Sequence, residues 1–185
     1  MPEAINNALS FFWEVIKIVV LALVIVFPIR YFLFQPFVIE GASMEPNFHQ
    51  ADYLIVDELS YRIGTPARGD VIVFKYPLDP SKRFIKRVIG LPGETVAIKN
   101  GKVDVIKNGE IITLDETKYL PAGLVTPDMT SYTLKTNQYF VLGDNRPYSS
   151  DSRSWGELPK DDIIGKVALR LWPLNDLAHI ETPKY

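Results

Sequence analysis

The chain contains no cysteine, which excludes disulfides, thiolate catalysis and zinc–thiolate sites. Histidine is almost as scarce. His49 and His179 are the only two, too few for a multi-histidine metal centre and a thin basis for a Ser-His-Asp triad; each reads as a surface or loop residue. Charge of one sign is missing as well: 20 Lys and Arg against 22 Asp and Glu leave a net charge of −2, with the basic residues scattered among acidic ones. No basic stripe exists to favour a nucleic-acid partner. No internal repeat or low-complexity tract is visible.

One long apolar run is present. Residues 18–29 form 12 consecutive apolar positions flanked by Lys17 and Arg30, and the wider segment 11–34 carries only Glu14, Lys17 and Arg30 as charges. A spanning helix needs about 20 mostly apolar residues, and charges near its ends can reach the headgroups. Trp13 and Tyr31 stand where interfacial aromatics belong. The segment does not read as a cleavable signal peptide, because no basic region precedes it and Pro36-Phe37 follows it. A membrane span is expected, with a buried core helix as the alternative. Flanking charges leave its orientation close to a tie.

After residue 36 the pattern is β. The apolar run 71–74 is bounded by Gly69-Asp70 and Tyr76-Pro77, as for a buried strand. Asn100-Gly101 and Asn108-Gly109 are hairpin-turn signals separating the β-prone runs 95–98, 103–106 and 110–114. Runs 139–142 and 167–172 read as further strands, and 115–137, rich in Thr, Pro and Asp, as a loop or small insertion. The expected architecture is mainly β: a helical anchor over 1–35, then one β domain over 36–185, with hairpins and a variable insertion at 100–137. About 150 residues suffice for such a domain to bury its own core.

Amide hydrolysis needs a nucleophile, a proton acceptor and donors for the developing oxyanion. Ser43, in Gly41-Ala42-Ser43-Met44-Glu45-Pro46, has little bulk on its approach side, and Pro46 turns the chain away from any ladder. If 83–89 is a strand, Phe84, Lys86 and Val88 share one face, and Ile85, Arg87 and Ile89 the other. Apolar neighbours would desolvate Lys86 and lower its pKa to about 8 from ~10.4, so that a neutral amine could take the serine proton. A third segment, 143–153, is polar and dense in turn formers; its spacing does not fit an EF-hand loop.

Taken together, these segments resemble bacterial type I signal peptidases over nearly the whole chain. The membrane anchor, the Ser-Met-x-Pro motif (43–46), a Gly-Asp-hydrophobic strand (69–74), Ile-Lys-Arg-Val-Ile-Gly-Leu-Pro-Gly (85–93) and Gly-Asp-Asn-x-x-x-Ser-x-Asp-Ser-Arg (143–153) occur in that order. The resemblance implies Ser43 as nucleophile and Lys86 as general base. It implies Ser149 as the hydroxyl orienting the lysine, Asp151 and Arg153 as a supporting ion pair, and Gly143 and Asp144 at the rim. Phe37, Ile39, Met44, Phe84 and Ile85 match the walls of two shallow pockets that accept small side chains before the scissile bond, the Ala-x-Ala pattern, with packing in the core as the alternative for at least two of them.

The same resemblance places the N-terminus in the cytoplasm and the catalytic domain outside a single-pass plasma-membrane anchor. Its partners would be signal-peptide-bearing preproteins and the lipid bilayer, with proximity to the export translocon allowed, and no metal or organic cofactor is required. Two departures stand out. Asn47 replaces the usual Thr, and Gly41 stands where some relatives carry a serine whose hydroxyl joins the oxyanion hole. Rival readings are a self-cleaving Ser–Lys protease of the repressor type, against which the anchor argues, and a catalytically silent membrane-tethered scaffold.

Overall fold

A computed structural model describes the backbone of residues 2–32, 34–183 and 185, and the side chains of 11–26, 35–183 and 185. The N-terminal helix, α1, runs Pro2–Phe32. Its side chains from 11 to 26 are all exposed, and they are apolar around the whole circumference apart from Glu14 and Lys17, which pair at 2.7 Å. Among the described residues no helix is long and apolar enough to cross a membrane. The side chains of Arg30, Tyr31 and Phe34, at the far end of the expected span, lie outside those described.

The remainder is antiparallel sheet. In chain order the strands are β1 (Phe34–Val38), β2 (Tyr53–Asp57), β3 (Val71–Tyr76), β4 (Asp79–Gly90), β5 (Thr95–Lys99), β6 (Lys102–Lys107), β7 (Glu110–Thr113), β8 (Met129–Thr133), β9 (Gln138–Leu142), β10 (Leu158–Pro159), β11 (Ile163–Trp172) and β12 (Ala178–His179). Two short helices, α2 (Leu59–Ile63) and α3 (Ser152–Trp155), sit between them. The larger sheet has the order β1-β2-β11-β3-β4-β9-β10, with β12 on β11; the smaller is β7-β6-β5-β8. Long β4 joins the two, because its end leads directly into β5.

The strands expected from the apolar runs all form. The turns are as the sequence indicates: Asn100 and Asn108 both take the left-handed conformation (φ 52°) that a tight hairpin demands. Five strands lay below the sequence signal, among them the two-residue β10 and β12. β1 contains Pro36, which an edge strand tolerates. β2 alternates buried Leu54 and Val56 with more exposed neighbours. β8 lies inside the stretch expected to be loop and pairs with β5.

Three apolar clusters hold the fold. One lies between β1, β2, β3, β4 and β11, around Leu54, Val56, Val73, Ile85 and Val167. A second fills the small sheet. The third packs the opposite face of β3, β4 and β9. Gly90 sits at the junction of the two sheets, where a Cβ would lie 2.5 Å from Val96 Cγ2, 2.8 Å from Leu134 Cδ1 and 2.9 Å from Phe140 Cβ. Gly90→Ala is therefore expected to destabilise the chain by about 1–3 kcal/mol through overpacking. The check is a lower urea midpoint with an unchanged slope; an unaltered midpoint would mean that the junction has room.

Candidate active site

Lys86 lies in the middle of β4, opposite Ile72 of β3. It is 3% exposed, and its Nζ donates to the carbonyl of Ile85 at 2.9 Å and lies 2.7 Å from Ser43 Oγ. Phe84, two residues back on the same face, places its ring centroid 5.2 Å from the amine. Loss of water pushes the lysine from its ordinary 10.5 down to about 8, against the opposing pull of Asp151 and Asp144. At that value about a tenth of the amine is neutral at pH 7.

Ser43 rides in a tight turn, with Glu45 N bonded to Ala42 O and Phe48 N bonded to Met44 O. The segment after β9 holds this turn in place. The Asn145 backbone N–H donates to Ser43 O at 3.1 Å, and Asn145 Nδ2 donates to Ala42 O at 2.9 Å. Gly143 lies against the same turn: a Cβ there would approach Ser43 O to 2.4 Å and Ser149 Oγ to 2.2 Å. Any side chain at 143 would displace the Ser43 turn.

Around the pair stands a set of buried ions. Asp144, fully buried, accepts from Arg87 Nε at 2.9 Å and from Arg87 Nη2 at 2.6 Å. Asp151, also fully buried, accepts from Arg153 Nε at 2.8 Å and Nη2 at 2.7 Å, and from the Gly143 N–H at 3.0 Å. Arg146 fills the space behind, donating to the Gly143 carbonyl at 3.1 Å and pairing with Glu116. The Arg87 guanidinium is covered by the ring of Tyr119, 4.1 Å away. Asn47 donates to Asp144 Oδ2 at 2.8 Å and to Tyr119 O at 2.6 Å. The unusual residue at 47 thus has two buried acceptors to satisfy.

Of the residues expected from the sequence, the structure brings together Ser43, Lys86, Gly143, Asp144, Asp151 and Arg153. Ser149 is adjacent, but its Oγ is buried without a hydrogen-bond partner; the expected bond to the Lys86 amine is not made, and the amine's second contact is the Ile85 carbonyl instead. Phe37, Phe84 and Ile85 line a cleft of about 660 Å³ that opens on Ser43 and Lys86. Ile39 and Met44 do not. At 2% and 1% exposure they belong to the core beneath it: Ile39 continues the inward face of β1 just past its end, and Met44 is buried within the tight turn that carries Ser43. Gly41 lines the cleft, exposed, with φ +89°.

Sequence reasoning missed Arg87, Asn145, Arg146, Glu116 and Tyr119. Arg87 and Asp144 are 57 positions apart, so no local pattern links them. A usable signal was the arginine itself, since a cation between apolar strand positions needs a buried counter-ion. Glu116 and Tyr119 lay in the stretch taken for an insertion.

Two strand edges flank the cleft. β1 ends the large sheet, and β4 meets β9 only from Arg87 onward, leaving 79–86 paired on one side alone, with β3. Backbone donors and acceptors on both edges face the gap, a geometry that admits an extended peptide.

A family model described as signal peptidase, peptidase S26, matches residues 12–172. The chain is 38% identical over 178 residues to signal peptidase I of Leptolyngbya laminosa, covering 92% of this chain and 84% of the relative. It is 39% identical over 170 residues to probable signal peptidase I-2 of Synechocystis sp., covering 87% and 73%. To signal peptidase IB of Staphylococcus aureus it is 32% identical over 180 residues, covering 90% and 92%.

The buried amine has a consequence for stability. Below pH 8 the lysine is protonated whether the chain is folded or not, and the fold carries the burden of an ammonium out of water. Above 10.5 neither state is charged and the burden is gone. The difference, at 1.36 kcal/mol per pH unit, is roughly 3 kcal/mol. Lys86→Met is therefore expected to be more stable than the unaltered chain at pH 7, with the gap closing as pH rises from 8 to 10.5. A gap in urea unfolding that does not vary with pH would contradict the desolvated amine.

Proposed function

The chain belongs to the peptidase S26 family of signal peptidases, serine peptidases acting on signal-peptide-bearing preproteins, and from that premise we propose a Ser43–Lys86 dyad as its catalytic machinery. The observation that carries this reading is the 2.7 Å contact between Ser43 Oγ and an amine that is 3% exposed. In its neutral form Lys86 accepts the hydroxyl proton as Ser43 Oγ attacks the scissile carbonyl. The Ile85 carbonyl holds one N–H, which aims the nitrogen lone pair at the serine. The Ser43 backbone N–H, which has no acceptor among the described residues, donates to the oxyanion. The ammonium formed on Lys86 then gives its proton to the leaving amine, and the neutral amine activates water to hydrolyse the acyl-enzyme.

The substrate enters as an extended strand between β1 and β4. Phe37, Phe84 and Ile85 close the cleft beside the dyad, and small side chains before the scissile bond, in the Ala-x-Ala manner, fit such walls. Asp144 with Arg87, and Asp151 with Arg153, are positioning residues that fix Gly143, and through Asn145 the nucleophile turn. Residues 1–35 serve as a single-pass anchor in the plasma membrane, with the N-terminus in the cytoplasm and 36–185 as the catalytic domain outside. Support for the anchor comes from the apolar run 11–34 and from the absence of any inward face on residues 11–26, since a helix apolar all round is a lipid-facing one.

Cleavage of a preprotein by the full chain in detergent tests the dyad. Ser43→Ala and Lys86→Ala are each expected to lower kcat/KM by about a thousandfold or more. The unaltered enzyme should gain activity through an apparent pKa near 8, where the amine loses its proton. Lys86→Ala retaining activity within tenfold, or a limb near pH 6, would remove the lysine from the mechanism.

A further inference from the structure

The cleft continues beyond Phe84 into a second cavity of about 360 Å³, and Arg83 lines both. This second cavity also receives Gln35 of β1, two positions back from Phe37 on the same face. It lies towards the start of β1, where the chain arrives from α1. Three cations face it: Arg62, Lys75 and Arg83.

Two of these cations stand in an unfavourable relation. Lys75 of β3 and Arg83 of β4 are direct cross-strand partners, and like charges placed opposite one another destabilise a ladder. Neither side chain makes an ion pair or hydrogen bond among the described residues. The carboxylates in the same cavity do not relieve them: Glu58 pairs, at 3.5 Å, with Arg62, and Asp161 makes no ion pair with either. The two strand positions before Lys75 and after Arg83 on this face, Val73 and Ile85, are core residues. An apolar ladder that ends in an uncompensated pair of cations at the mouth of a cleft is a site prepared for an anion.

We propose that Lys75 and Arg83, with Arg62 behind them, form a subsite for an acidic side chain in the polar stretch of the preprotein that precedes the scissile bond. This rests on the peptidase reading, and on α1 as the anchor. The apolar core of a signal peptide lies in the bilayer, so the residues between that core and the scissile bond run along the end of the cleft nearest α1. Arg83 is three residues from Lys86 along β4, about 10 Å at 3.3 Å per residue. The residue it meets is therefore roughly the fourth to sixth before the cut. A carboxylate there relieves the repulsion between Lys75 and Arg83, which a neutral side chain does not.

The test uses the full chain in detergent and paired preproteins differing only in Asp or Ala at the fourth, fifth or sixth residue before the scissile bond. At one of these positions the enzyme is expected to favour Asp by about two- to fivefold in kcat/KM, the span of a partly exposed ion pair, and to lose that preference as salt rises. The preference should fall to unity in the Lys75→Gln, Arg83→Gln double variant and invert in Lys75→Glu. Each enzyme supplies its own ratio, so a general loss of activity does not mimic the result. Equal cleavage of Asp and Ala preproteins at all three positions overturns the subsite, as does the same preference in the double variant. If the variants instead lose binding to vesicles containing anionic lipid while the ratio is unchanged, the cations serve headgroups and the subsite is refuted. Failure of the unaltered enzyme to cut either preprotein refutes the peptidase reading itself, and the subsite with it.

Discussion

An amine out of water is pushed towards its uncharged form while two carboxylates lie within reach of its field, and the arrangement around β4 sets that balance. Asp144 and Asp151 both draw Lys86 back towards the ammonium form. Each, however, is gripped by its own arginine in a two-pronged pair. A carboxylate so paired acts at a distance as a dipole rather than as a charge, so its influence on the lysine is weakened while its hydrogen-bonding capacity is kept. Burial then prevails. The same carboxylates do positional work: Asp151 holds the Gly143 N–H, and Asp144 holds Asn47 just beyond the nucleophile turn.

The positioning reaches further than the large sheet. Glu116 and Tyr119, in the connection between β7 and β8, supply the counter-ion of Arg146 and the cover over Arg87. Arg146 in turn supports the Gly143 carbonyl. The small sheet is therefore coupled to the dyad through buried charge, and removing one partner from such a pair leaves an ion without compensation. Tyr185 joins the same group from the C-terminal side through its bond to the Tyr119 hydroxyl.

Much of the architecture was legible because strand alternation and Asn-Gly turns are local signals. β3, β5, β6, β7, β9 and β11 could be read from runs of four to six residues. β1 and β8 could not: one carries a proline, and the other is short, polar and mostly exposed, held by its pairing with β5 rather than by its own pattern. The site divides in the same way. Ser43 and Lys86 were marked by a local oddity, a lysine set among apolar strand residues beside a serine motif. Ile39 and Met44, matched to the cleft walls through the family resemblance, lie in the core beneath it: Ile39 continues the inward face of β1 past its end, and Met44 is buried within the nucleophile's turn. The expected Ser149 bond is not made: that hydroxyl is buried without a partner, and the amine's second contact is the backbone carbonyl next to it in sequence. Arg87 with Asp144, and Arg146 with Glu116, depend on contacts across the fold that no short window contains.

The most direct test of this picture is a titration of the Lys86 amine itself by NMR, with lysine labelled at the side chain and Lys86→Met used to assign the signal. The account predicts a midpoint near 8, well below the ordinary value of a hydrated lysine, about 10.4. A Lys86 signal that titrates at that ordinary value would show a hydrated ammonium, and would contradict the neutral base on which the proposed chemistry depends.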